Sequence, residues 1–152
     1  MMICDDYLAL RALLAGRPAE MPDTGALGVT TSTWWRLLRP VHGVIHARAT
    51  GTTHGFEGSF TAVMNTMPDE VLNRVRQPDE RLLQVLDSRR ILDTAAALDV
   101  SHRGGMLQLE TIAAAVVYSG TLWYGSERNI SPVTKRIAAD LDIDIHVVTA
   151  RN

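Results

Sequence analysis

The sequence predicts an α/β protein, a three-layer α/β/α sandwich built on a mainly parallel sheet. Two observations predict it. The stretch Gly104 to Asn129, GGMLQLETIAAAVVYSGTLWYGSERN, reads as glycine turn, helix, glycine stop, short strand and loop. Its helix, with Ile112, Ala113, Ala114, Ala115, Val116 and Val117 in succession, is too apolar for a surface and must pack on a sheet. Along the rest of the chain, short apolar runs alternate with helical recurrence in the order β-α-β-α, an irregular helical middle, then β-α-α-β-α-β, the pattern of a parallel sheet covered on both faces. At 152 residues the chain suits one domain, residues 1–152, with the irregular part at about 41–80.

The opening Met1-Met2-Ile3-Cys4 is a short strand that stops at Asp5-Asp6. Tyr7, Leu8, Leu10, Leu13 and Leu14 then recur as a helix until Gly16-Arg17-Pro18, with Asp6 placed to cap it. Pro18, Pro22, Asp23 and Gly25 make a loop before a second strand, Leu27 to Thr30. Ser32 is the expected cap of a helix Thr33 to Arg39, which Pro40 should end. Trp34 and Trp35 are about 100° apart on that helix, so one of them must leave the core. From Val41 to Thr66 no clean period survives, and Phe56, Phe60, Met64 and Met67 read as satellite core. Pro68-Asp69-Glu70 opens a helix that Gln77-Pro78-Asp79 closes, and Leu82 to Leu86 is a third strand. Asp87-Ser88 caps a helix striped by Ile91, Leu92, Ala95 and Leu98. After the organising stretch, Ser131-Pro132 is an N-cap with proline at the first helical position. Ile143, Ile145 and Val147 alternate with polar residues, as in a half-exposed edge strand.

Composition narrows the function. Hydrophobic residues make up 46% and charged ones 21%, ordinary for a globular protein. No apolar run reaches the roughly 18 residues of a membrane helix, and the N-terminus carries acids where a signal peptide carries bases, so a cytoplasmic protein with no membrane role is expected. Cys4 is the single cysteine, which excludes an internal disulfide. The net charge of −2 excludes a broad electrostatic grip on nucleic acid. Any RNA contact must come from local arginines such as Arg36, Arg74, Arg76 and Arg128. No glycine-rich phosphate loop follows the first strand, which argues against a dinucleotide-binding domain.

Asp5, Glu110 and Glu127 come from separate segments, each expected just past a strand or in the first turn of a helix. The topology can bring them to the carboxyl edge of the sheet, where ligands collect. Converging carboxylates suit a hard cation such as Mg²⁺ or Mn²⁺. On spacing alone, three separate caps or surface acids remain the plainer reading. His42 and His46 have the i, i+4 spacing of two ligands on one helix face, but spacing fixes no third ligand, and His54 lies among glycines.

Ile3-Cys4-Asp5-Asp6 and LETIAAAVVYSGTLWYGSE, with the closing helix and IDIHVV, resemble the PIN-domain family of VapC-type toxin ribonucleases over roughly residues 1–40 and 82–150. The resemblance implies a PIN-like fold and a metal-dependent ribonuclease in which Asp5, Glu110 and Glu127 are catalytic and hold Mg²⁺ or Mn²⁺. It implies RNA as substrate and an antitoxin protein as partner, and a homodimer is expected through the exposed tryptophan and the middle segment. The chain departs from the family in two ways. The helix after the second strand, Ser32 to Leu38, lacks the usual glutamate, and two further acids are glutamates where aspartate is usual. Asp6, Glu57 or Asp69 could replace the missing ligand. The alternative expectation is a non-catalytic PIN-like module that binds RNA or protein.

Overall fold

The structure, a computed structural model, describes residues 1–52, 60–86 and 88–148. Five parallel strands form one sheet in the order β3-β2-β1-β4-β5: β1 Met2–Cys4, β2 Leu27–Val29, β3 Leu83–Val85, β4 Thr121–Tyr124 and β5 Ile145–Val147. The helices are α1 Asp6–Ala15, α2 Thr31–Thr50, α3 Thr61–Asn65, α4 Asp69–Arg76, α5 Ser88–His102, α6 Met106–Val117 and α7 Pro132–Asp140. The order of strands reverses at β1, between β2 and β4. Such a switch point opens a crevice at the strands' carboxyl ends.

Alternation along the strands sorts the core into two layers. Met2, Cys4, Leu27, Val29 and Trp123 face α1, α2 and α4, packing with Leu8, Leu13, Leu37, Val41, Leu72 and Val75. Ile3, Leu122 and Tyr124 face the other way, onto α5, α6 and α7 through Ile91, Ile112, Ala113 and Ile137. These are the outer layers of the expected sandwich, and α6 lies directly against β1 and β4. Its alanines let it sit close. Fully burying a leucine or isoleucine contributes about 1.5–3 kcal/mol, so these two layers dominate stability.

Several element boundaries differ from the sequence expectations, each for a local reason. The helix expected to stop at Pro40 continues to Thr50 as α2, with Pro40 buried inside it. Leu37, Val41 and Val44 keep one face of α2 in the core on both sides of the proline, and that packing outweighs a missing hydrogen bond. Thr30, rather than Ser32, caps α2, its side chain accepting from Thr33 N–H. Asp5, rather than Asp6, caps α1. α6 starts at Met106, so Glu110 sits beyond its first turn. Ser131 caps α7 and Pro132 takes its first position, as expected. β5 lies at a sheet edge, Trp34 is partly buried against the core, and Trp35 is 57% exposed. Met64 is buried and Met67 packs beside it, while Phe56 and Asp87 lie outside the described residues. Among the described residues no helix is long and apolar enough to cross a membrane.

Candidate functional site

A cleft of about 230 Å³ opens at the carboxyl edge of the sheet. Its floor is Asp5, the residue between β1 and α1. Extended backbone there (ψ 170°) turns the chain into α1, and the carboxylate accepts from the free N–H of Leu8 at 2.8 Å. The same oxygen accepts from Gly125 N–H at 3.3 Å, just past β4, and the other accepts from Asn129 Nδ2 at 2.8 Å. One buried side chain thus ties the ends of β1 and β4 to the 3₁₀ turn Glu127–Asn129. Burial nonetheless outweighs these bonds and raises the Asp5 carboxyl above the ordinary aspartate value.

The walls come from four helix starts. Asp6 is contributed by α1, Thr33 and Arg36 by α2, Leu107, Gln108 and Thr111 by α6, and Thr134 by α7. Free N–H groups and the dipoles of α1, α2, α6 and α7 all bear on this edge. The Arg36 guanidinium stands 3.1 Å from Asp6 Oδ2; the contact is ionic rather than a directed hydrogen bond, since that oxygen finds no aligned donor. Tyr124, at the end of β4, is hydrogen-bonded to Thr134, and burial, with the Asp5 charge second, pushes its phenol up to about 12. It is therefore a neutral hydrogen-bonding group.

Of the three acids singled out in the sequence, only Asp5 lines the cleft. Glu110 is 1% exposed within α6, its neighbours Leu107, Gln108 and Thr111 forming the wall while its own Oε2 is buried without a hydrogen-bond partner. Starting α6 four residues before Glu110 carries it past the helix end and into the packed layer. Glu127 is exposed on the 3₁₀ turn and pairs with Lys135. Asn129, two residues further on, takes the place expected of it beside Asp5. Among the described residues no three His, Cys, Asp or Glu side chains are grouped to hold a metal ion. Asp69 pairs with Arg48 away from the cleft, His42 and His46 are exposed on α2, and His54 and Glu57 lie outside the described residues.

Sequence reading named Arg36 among the arginines for local phosphate contact, and it lines the cleft, but missed Thr33, Tyr124, Asn129 and Thr134. Thr33 carries a legible signal, one turn before Arg36 directly after a predicted strand. Asn129, Tyr124 and Thr134 do not, because only the fold brings them to Asp5. Arg74 and Arg76, at the end of α4, and Arg128 are exposed but do not line the cleft. No protein-family model matches the chain, and no curated protein matches it. Fold and site together define an α/β protein with a polar cleft, carrying two aspartates and one arginine, at the switch point of a parallel sheet.

Proposed function

We propose that the protein is a PIN-like module that binds RNA at this cleft without cleaving it. The observation that carries this is the position of Arg36. A guanidinium on α2, 41% exposed at its side chain and paired with Asp6, adds positive charge to an edge whose carboxylates are Asp5 and Asp6. Arginine presents a planar fork that suits phosphate, and the helix starts around it add N–H donors and favourable dipoles. Beside Asp6, Tyr7 is 47% exposed. An exposed aromatic beside an arginine is the composition of a single-strand binding surface. Trp35, 57% exposed on α2 with Arg39 over its ring at 5.3 Å, supports a homodimer.

The test is fluorescence anisotropy with a labelled 12-nucleotide single-stranded RNA in EDTA. Wild type should bind, and Arg36→Gln should bind about tenfold or more weakly, since a hydrogen bond to a charged group contributes roughly 1.5–3 kcal/mol. No binding at low salt, or equal binding by both proteins, would remove this reading.

A second reading, a metal-dependent ribonuclease acting as the toxin of a toxin–antitoxin pair, is favoured by one observation, the unpartnered buried oxygen of Glu110. Asp5 and Glu110 would then be the residues that hold Mg²⁺ or Mn²⁺, and the cation would supply an activated water and stabilise phosphodiester charge. Against it, Glu127 faces solvent and the described acids do not gather in threes. A rise in melting temperature with millimolar Mn²⁺ that disappears in Glu110→Gln, together with Mn²⁺-dependent RNA cleavage, would establish this reading over the first.

A further inference from the structure

We propose that the outer face of Tyr7 is a stacking platform for an unpaired nucleobase, set beside the phosphate seat at Arg36. The proposal rests on the RNA-binding reading above and deepens it, by naming the residue that selects single strands. Tyr7 is the second residue of α1, directly after Asp6, and the edge of its ring meets the backbone of Gly125: a β-carbon at position 125 would stand 2.2 Å from Tyr7 Cδ1, 3.0 Å from Cε1 and 3.3 Å from Cγ, close to the ring plane. Glycine lets the ring come this close, and its bare backbone abuts that edge. The residue is nonetheless 47% exposed and belongs to neither core layer.

The support borders the cleft. Gly125 donates its N–H to Asp5, and Tyr124 before it and Asn129 after it line the cleft. On the other side, Asp6 links Tyr7 to the Arg36 guanidinium. A ring already held along one edge loses little freedom when a base covers a face, and every base offers a π face, so the contact is strong and tolerant of sequence. Bases of an A-form duplex are already stacked and paired, so this platform favours loops, ends and single strands.

Anisotropy titrations in EDTA test this with three labelled RNAs: a 12-nucleotide single strand, the same strand made abasic at successive single positions, and a tailless hairpin of equal length. Wild type and Tyr7→Phe should bind the intact strand equally, while Tyr7→Ala should bind it about tenfold more weakly. On wild type, one abasic position should reproduce that loss, with no further loss when the same RNA meets Tyr7→Ala. The hairpin should bind weakly and be insensitive to Tyr7→Ala. If wild type binds the single strand but Tyr7→Ala and every abasic strand bind equally well, the platform is refuted while RNA binding stands. If wild type retains no RNA at low salt, both fall.

Discussion

At the residue scale, Asp5 holds the cleft together at a cost to the fold. Its carboxyl is raised, so the native state holds this proton more tightly than the unfolded chain does. The sign follows directly: stability from this group is fully present below the ordinary aspartate value and is lost as pH rises through the raised one. Asp5→Asn removes the buried charge and keeps an oxygen for Leu8 and Gly125. The variant should therefore be more stable than wild type at pH 7, with the difference shrinking toward zero near pH 3, as followed by urea unfolding across pH. A variant less stable than wild type at pH 7 but not near pH 3 would show that the three hydrogen bonds to the charged form outweigh its desolvation; a deficit at both would mark the lost acceptor for Asn129 Nδ2. Gly120 is a second sensitive residue, because a β-carbon there would stand 2.5 Å from the carbonyl oxygen of Met1. Gly120→Ala must push the start of β4 off β1, and we expect a loss of about 1–3 kcal/mol in chemical denaturation. Cys4 is buried, and burial raises its thiol pKa further, so it should react with a disulfide reagent at pH 8 only after unfolding.

At the scale of elements, what was legible followed local chemistry, and what was hidden depended on packing. The all-apolar α6, the Ser131-Pro132 start of α7 and the alternating β5 each carry their signal within a few residues. Replacing Ser131 by alanine should accordingly cost about 1 kcal/mol, since its hydroxyl accepts from Thr134 N–H at 3.0 Å. Pro40 shows the opposite case. The sequence reads it as a helix end, yet α2 runs through it because core contacts on both sides hold the helix in one piece. Glu110 and Glu127 failed as a converging pair for reasons of helix phase. α6 begins at Met106, which moves Glu110 into the packed layer, and the 3₁₀ turn directs Glu127 to Lys135 while Asn129 meets Asp5. No period in the sequence carries that choice.

For the whole molecule, alternation of short apolar runs with helices was enough to predict a three-layer sandwich with a parallel sheet. The strand order that places the cleft beside β1 was not legible, because it arises from pairing between distant segments. Assembly belongs to this scale as well. With Trp35 57% exposed on α2 and Val63 46% exposed on the neighbouring α3, we expect a homodimer at tens of micromolar, shifted toward monomer by Trp35→Ser. Sedimentation equilibrium reads this directly, and a monomeric wild type would remove the dimer.

The central claim is that a protein of net charge −2 grips RNA locally, through Arg36 at the carboxyl edge of its sheet. The salt dependence of binding tests it most directly, because each phosphate neutralised on a single strand contributes about −0.7 to the slope of log K against log salt. Single-stranded RNA titrated between 50 and 200 mM salt, roughly the span over which such contacts are read, should give a clear negative slope for wild type and a shallower one, by about 0.7, for Arg36→Gln. A flat response for wild type, or identical slopes for the two proteins, would contradict the account.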